Sequence, residues 1–450
     1  MSRRRKLTAQ ADTLSEGASA PSAASRVAVD TIAVRAVTAC VLGGVRRMPG
    51  EYFAVPVDRA DALAQLGYVM PDAYFEMMHP AAAAMWREAG AARMGLLESS
   101  LAVSPDVVTQ LWDGEARILT PDGVPSHYTA DTAPATVRVL QLTAYDPGSS
   151  VYRYHSAANT VLGVRSALVR YGYSNPHCHL RQWDGELHRT TVELLAMTAD
   201  VIHVHMDWRT LHHDLRYDLQ ANQRAAITYH GSVPDDVPGK GMTNDDADRR
   251  MGAVRFGARP YHARYGVEHY LPIPVPVRDY AALASTDAAQ AARAGGTFRV
   301  AHSPTKRAIK GTHTLLVAVE ALQRQGVAIE AVLIEDKPHG EALAMKAGCH
   351  ATFDSFWLGM QGSGLEGAAM GQAVIAGDRL AAEEASALNG GDCPWTFADD
   401  EPSLIEALRR LAMDGRYRAS EAERVGAYVQ RVHAYEAVGA RYRDILTQAN

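Results

Sequence analysis

Hydrophobic and polar positions along the chain fall into three textures. Residues 7–26 are rich in Ala, Ser and Thr with almost no bulky apolar side chains. Such a stretch cannot bury enough surface to offset the entropy of ordering, so 1–26 is expected to be a flexible tail. From 27 to 75 the pattern becomes β-branched alternation. Thr31-Ile32-Ala33-Val34-Arg35-Ala36-Val37 predicts a strand, Arg46-Arg47-Met48-Pro49-Gly50 a turn, and Glu51-Tyr52-Phe53-Ala54-Val55 a second strand. A short helix over Arg59–Leu66 stops at Gly67. This small β-rich module leads into a connecting α/β segment, 76–135, with an Ala-rich helix at Ala81–Gly90 and a hairpin around Pro121-Asp122-Gly123.

The third texture begins at Val137. Val137–Leu142, Asp200–His205 and Ala225–His230 are near-continuous apolar runs, the mark of strands buried on both faces of a parallel sheet. The first run ends in the small-residue loop Asp146-Pro147-Gly148-Ser149-Ser150, and a helix is predicted from Tyr154 to Tyr171, closed by Gly172. Strand, small-residue loop and helix open a doubly wound sheet, whose ligands sit at the carboxyl ends of the strands. Tyr270-Leu271-Pro272-Ile273-Pro274-Val275-Pro276 forbids helix, and 281–297 reads as a linker. A second series follows, with a strand from Phe298, a helix over Thr312–Arg324 carrying Leu315, Leu316, Val319 and Leu322 at helical spacing, and strands at Ile329–Ile334, Ala351–Phe353 and Ala373–Ala376. The last fifty residues predict two helices with Arg and Glu on the outer face. The fold class is therefore α/β, with two Rossmann-like domains in series at 136–280 and 298–430. The small β-rich appendage precedes them, and a closing helix at 431–450 crosses back onto the first domain.

Composition narrows the class further. A chain of 450 residues exceeds one core, and 47% hydrophobic with 21% charged residues excludes wholesale disorder, collagen-like repetition and coiled coil. Lys plus Arg at 45 against Asp plus Glu at 51 gives −6, a balance that argues against a dedicated nucleic-acid binder. Cys40, Cys178, Cys349 and Cys393 form no CxxC pair, so neither a disulfide scaffold nor a zinc site is indicated; they read as reduced thiols of a cytoplasmic protein. No apolar run approaches the roughly 20 residues that span a bilayer. Ser2-Arg3-Arg4-Arg5-Lys6 leads into small polar residues rather than a signal core, so no transmembrane segment or export is expected.

Five pieces of the chain, in order, carry a resemblance. They are Ala199-Asp200-Val201-Ile202-His203-Val204-His205, Thr228-Tyr229-His230-Gly231-Ser232, Ser303 to Thr312 with Lys310-Gly311-Thr312, Leu365-Glu366-Gly367-Ala368-Ala369-Met370-Gly371-Gln372-Ala373-Val374-Ile375, and Arg431-Val432-His433 through Tyr442. Over about residues 136–447 the chain resembles the retaining, family 4-like glycosyltransferases of GT-B fold. The resemblance implies a hexosyltransferase with a nucleoside diphosphate sugar as donor substrate, no other cofactor and no metal. It implies donor contacts from Ser303, Leu365 and the loop holding Gly148 and Ser149, an alternative for that loop being an ordinary tight turn. One position departs from the pattern: many relatives carry an acid eight residues before the ribose-binding glutamate, and here that residue is Leu358.

The residues support this reading on their own chemistry. A nucleotide sugar presents a ribose diol, two phosphates and a sugar. Glu366, in the first turn of a helix, could accept from both ribose hydroxyls, and Gly362, Ser363 and Gly364 could offer backbone N–H groups to the diphosphate at the positive helix end. The alternative for Glu366 is an acid favoured by the helix dipole on a solvated face. Lys310 and Arg307 would neutralise the departing diphosphate, or form a basic turn facing solvent. His230, at a strand end, would bond the donor sugar near the reacting carbon by resemblance, or cap the strand from the core. His203, His205 and Asp207 suggest a metal trio, but no further carboxylate cluster accompanies them and no metal is expected. Asp354 and His339 stand near the expected donor face without an assigned role.

Pro49-Gly50-Glu51-Tyr52-Phe53-Ala54-Val55-Pro56, followed by Arg59-Ala60 and Leu63–Gly67, is similar to a short β-helix element of bacteriophage structural and head-associated proteins. That likeness implies a phage-encoded chain acting in the host cytoplasm and recruited to a virion, a phage or host protein, or a glycan acceptor. The module equally reads as a surface extension of the first domain. Two other functions stay open: a decayed GT-B fold serving as a structural or virion-associated interaction protein, which Leu358 motivates, and a sugar epimerase.

Overall fold

The computed structural model describes the strand segments between 31 and 71, residues 109, 112 and 126–128, and most of 135–448, with longer gaps at 172–182, 185–188 and 231–250, the last interrupted only at Asp248. The tail, the helices expected at 59–66 and 81–90, the hairpin around 121–123, and Gly148, Gly231, Ser232, Asp207 and Leu358 lie outside the described residues. The chain divides into two compact units, Met1–Met78 and His79–Asn450.

In the first unit the strands are β1 (Thr31–Ala36), β2 (Cys40–Leu42), β3 (Val45–Arg47), β4 (Tyr52–Pro56) and β5 (Val69–Pro71). β1 pairs antiparallel with β4 and β5, and β2 pairs antiparallel with β3. Arg46 and Arg47, expected in a turn, stand instead in β3 opposite Val41 and Cys40. In the sequence, Gly43-Gly44 between the two strands is the signature of a two-residue hairpin.

The second unit holds two parallel sheets. The first is built from β6 (Val137–Thr143), α1 (Ser150–Asn159), β7 (Val164–Arg170), β8 (Trp183–Asp184), α2 (Arg189–Thr198), β9 (Val201–His205), β10 (Arg224–Tyr229), β11 (Val254–Gly257) and β12 (His269–Tyr270). Its strand order is β12-β11-β10-β9-β6-β7-β8, parallel throughout. The helix expected over 154–171 is corrected here: α1 ends at Asn159 and 164–170 is a strand. Gly163 takes φ +83, a turn conformation that suits glycine, and the Val164–Val169 side chains are buried on both faces beside β6. Burial in the sheet overrides a helical spacing that a short apolar run imitates equally well.

After α3 (Val277–Ala284) and α4 (Asp287–Arg293), which occupy most of the stretch expected as linker, comes the second sheet. Its elements are β13 (Phe298–His302), α5 (Arg307–Lys310), α6 (Thr312–Arg324), β14 (Ile329–Leu333), α7 (His339–Ala347), β15 (Ala351–Phe353), α8 (Gly362–Ala369), β16 (Ala373–Ala376), α9 (Arg379–Asn389) and β17 (Thr396–Phe397), in the order β14-β13-β15-β16-β17, again all parallel. Three helices, not two, close the chain: α10 (Glu401–Met413), α11 (Gly415–Val432) and α12 (Tyr435–Gln448). The extra break sits at Asp414, whose side chain accepts the Arg416 and Tyr417 amides and so starts a new helix.

Both halves share apolar surface. One cluster runs from Val139 and Val201 of the first sheet through Leu271 and Tyr442 to Leu365 and Val374 of the second. The last helix lies against the first half: the Val275 amide donates to the His433 carbonyl at 2.7 Å, and Arg224 donates to the Leu446 carbonyl. A β-carbon added at Gly439 would collide with the Ala157 carbonyl of α1, so α12 approaches α1 this closely only because glycine stands there. Gly426 of α11 has ordinary room, its nearest would-be contact at 3.6 Å. Gly439→Ala is therefore expected to lower stability by about 1–3 kcal/mol, whereas Gly426→Ala should be neutral or stabilising by up to about 1 kcal/mol through helix propensity. Thermal melts of the two variants check the contrast.

Candidate active site

The two sheets face each other across their carboxyl edges, and the conspicuous polar side chains converge there. A cleft of about 340 Å³ is lined by Ser149 from the start of α1 and, from the second half, by Ser303, Glu335, Lys337 and His339. Ser149 takes φ +58, a conformation that a serine rarely adopts, directly beside this cleft. Ser303 Oγ and His339 Nδ1 are both buried and have no hydrogen-bond partner among the described residues. A hydroxyl and a ring nitrogen left unmatched at a cleft wall are costly unless a ligand completes them.

Behind that wall lies Glu366. It is not on a solvated helix face: its side chain is only 10% exposed and its oxygens are engaged. Oε1 accepts from Arg153 of α1 at 2.6 Å and lies 3.2 Å from His339 Nε2, while Oε2 accepts from Lys346 of α7 at 2.5 Å. Burial alone would raise its pKa, but Lys346, the His339 hydrogen bond and Arg153 more than reverse this and hold the carboxyl well below the usual range. Lys346 also donates to Ser363 Oγ at 3.0 Å, tying the start of α8 into the same group. Two cationic side chains thus share one carboxylate, behind a cleft whose own rim carries Glu335 and Asp336 against Lys337.

A second constellation holds the N-terminus of α8. Asp354, fully buried at the end of β15, pairs with Lys310 at 2.9 Å and accepts the Gly364 amide at 3.0 Å and the Gln361 amide. Burial pushes its pKa up, and Lys310 with these donors outweighs that, so the carboxyl stays ionised. The Gly364 amide, expected to await a diphosphate, is therefore occupied by a protein carboxylate: an anion already sits at the positive helix end. Leu365 faces away from the first cleft and lines another, shared with Arg259, Gln361 and Asp378. Arg307 is 59% exposed and pairs with Glu335, so it stands on the outer rim rather than at the centre.

His230 is buried at the end of β10 in a chain of side chains that sets its protonation. Gln141 donates Nε2–H to Ser166 at 2.9 Å, which turns its Oε1 toward His205 Nε2 at 3.0 Å. An amide oxygen only accepts, so His205 donates from Nε2, and its Nδ1 accepts from His230 Nε2–H at 2.7 Å. That leaves His230 Nδ1 as a lone pair, buried and without a partner among the described residues. Burial, aided by nearby Arg259, lowers the His230 pKa to about 3, so the ring is neutral. His203 stacks on His205 at 4.5 Å and is taken by Thr228 and Tyr442. Among the described residues no group of three or more His, Cys, Asp or Glu side chains is placed to hold a metal ion, and no helix is long and apolar enough to cross a membrane.

Arg153, Lys346, Gln141 and Arg259 were not singled out from the sequence. Arg153 had a usable signal, a lone cation inside the apolar stretch Val151-Tyr152-Arg153-Tyr154. Lys346 had none, because its partner lies 20 residues further on, in another helix.

No protein-family model and no curated protein matches the chain. Solved structures do. An alpha-glucosyltransferase in complex with UDP and a 13-mer DNA containing a central A:G mismatch is 12% identical, with 69% of this chain and 100% of that chain covered and a TM-score of 0.54. An alpha-glucosyltransferase in complex with UDP-glucose and DNA containing an abasic site gives 11% identity, 69% and 99% coverage, and 0.51. Anabaena HepE in complex with UDP and glucose gives 13%, 69% and 100%, and 0.46. The chain has a GT-B fold. In this GT-B chain the first cleft lies between the two parallel sheets, with Ser149 on one side and Ser303 on the other.

Removing the central carboxylate tests the electrostatic reading. Glu366→Gln would leave Arg153 and Lys346 buried without a counter-charge and should cost about 3–5 kcal/mol of stability near neutral pH. Because the folded pKa is depressed, the wild-type contribution is complete above the ordinary glutamate pKa of about 4.3 and is lost as pH falls below it. Denaturant melts from pH 7 to pH 3 should show the difference between wild type and variant shrinking toward the acid end.

Proposed function

We propose that the chain transfers a sugar from a nucleoside diphosphate donor to an acceptor, with retention of configuration. The observation that carries this is the cleft between the sheets, bordered by unmatched Ser303 and His339 and backed by two cations on one carboxylate. A nucleotide completes both: a phosphate oxygen accepts from Ser303 Oγ, and a ribose hydroxyl donates to His339 Nδ1, whose Nε2–H is directed at Glu366. In this reading the ribose and phosphates enter beside Ser149 and Ser303. His339 meets the ligand directly, with Glu366 fixing its ring from behind.

Lys310 stands ready to follow the leaving diphosphate, its charge held in place by Asp354, while exposed Arg307 supplies longer-range attraction. These side chains furnish the charge that a divalent ion would otherwise bring. His230, neutral and with an open acceptor nitrogen, is suited to receive a sugar hydroxyl. Retention is favoured by the fold likeness to an enzyme named alpha-glucosyltransferase and crystallised with UDP-glucose, itself an α-glucoside. A second reading, a fold kept only as an interaction scaffold, draws on the fact that the Glu366 oxygens are already engaged.

Ligand-dependent melting separates the two. UDP-glucose at a hundredfold excess over its Kd should stabilise the chain by about 2.7 kcal/mol, and Ser303→Ala should weaken UDP binding about 3- to 10-fold. Lys310→Met should slow UDP release from UDP-glucose by about two orders of magnitude. If neither UDP nor any UDP- or GDP-sugar shifts the melt, the scaffold reading stands.

A further inference from the structure

A second cleft, of about 320 Å³, lies between Arg259 and Tyr270 of the first half and Trp357, Gln361, Asp378 and Trp395 of the second. Its chemistry differs from that of the first. Arg259 is half-buried, and among the described residues no carboxylate lies within ion-pair reach of its guanidinium; Asp354, in the vicinity, is taken by Lys310 and the α8 amides. Burial lowers the Arg259 pKa, the signature of a cation short of a counter-ion. The indole N–H of Trp395 is likewise buried with no partner among the described residues. Trp357 is a large apolar side chain left 58% exposed at the cleft. Asp378 offers acceptor oxygens, of which Oδ1 receives only the Ala381 amide, at 3.2 Å.

We infer that this cleft receives the acceptor of the transfer, and that the acceptor is an acidic sugar, a pyranose bearing a carboxylate or a phosphate. The inference rests on the transferase reading above. Each feature maps to one part of such a molecule. The guanidinium fork matches a planar carboxylate or a phosphate, the flat faces of Trp357 and Tyr270 match the apolar face of a pyranose ring, and Asp378 matches ring hydroxyls. A neutral sugar would leave the Arg259 charge unmatched, and an apolar ligand would leave Asp378 unmatched as well. The cleft also adjoins the chemistry. Arg259 is close enough to His230 to depress its pKa, and Gln361 of the cleft wall donates its amide to the Asp354 that holds Lys310. An acceptor hydroxyl seated here lies between the proposed sugar-binding histidine and the proposed leaving-group lysine.

The test uses the full chain with UDP saturating the first cleft, and titrates glucose, glucuronate and glucose 6-phosphate, followed by saturation-transfer NMR and by tryptophan fluorescence. Glucuronate, glucose 6-phosphate or both should bind about tenfold or more tightly than glucose, and the better of the two names the acid. Arg259→Gln should erase that preference while leaving the UDP-dependent thermal shift in place, and Trp357→Ala, at an exposed position, should weaken all three sugars alike. Equal binding of glucose and the acids, binding of none of them, or an acid preference that survives Arg259→Gln overturns the proposal. A wild-type chain that shows no UDP shift but keeps an Arg259-dependent acid preference would instead remove the donor reading and leave the acid-binding cleft standing.

Discussion

The meeting of Arg153, Lys346 and Glu366 is the contact on which the rest of the structure depends. Glu366 comes from α8 of the second half and Arg153 from α1 of the first, 213 positions apart in the chain. Their pairing binds the two sheets at the point where their carboxyl edges face. Burying a lone carboxylate would be costly, and burying two cations without it equally so; together they offset most of the desolvation penalty. The group backs a cleft whose wall shows a serine and a histidine with hydrogen-bonding capacity unmet among the described residues. Structural cohesion and anion recognition therefore draw on the same side chains.

Around this point the molecule is organised as two layers of decision. The first half contributes a neutral, hydrogen-bonded histidine chain, in which Gln141 dictates through His205 which nitrogen of His230 remains open. The second half contributes the Lys310–Asp354 pair and, with Arg153 of the first half, the Glu366–Lys346 group. The shared apolar cluster and the return of α12 onto α1 keep these two sets in register.

The parts of this arrangement that can be read from residue order are those determined locally. β13, α6, β15 and β16 follow directly from apolar runs and helical spacing, because each buries its own face against immediate neighbours. The segment after α1 misleads, since Val164–Val169 satisfies helical spacing and only the neighbouring strand β6 reveals that both its faces are covered. At the candidate site, Glu366, Lys310, His230, Ser149 and Ser303 carried local signals, such as glycine neighbours or strand-end positions. Their partners did not. Asp354 was noticed without a role, although it is the group that restrains Lys310 and occupies the start of α8. Arg153, Lys346 and Gln141 act through contacts between elements that are remote in sequence, and pairwise distances across a fold are not written in any window of residues. Arg259 illustrates the limit most clearly: that no carboxylate among the described residues pairs with it is a property of the fold and not of its neighbours in sequence.

The most direct measurement is the crystal structure of the chain grown with UDP. The account places UDP in the cleft between Ser149 and Ser303, with the diphosphate within hydrogen-bond distance of Ser303 Oγ and a ribose hydroxyl within reach of His339 Nδ1, and with Glu366 still paired to Arg153 and Lys346 behind it. UDP seated instead against Arg259 and Trp357, or a first cleft that stays empty at saturating UDP while the Arg153–Glu366–Lys346 group remains intact, would contradict it.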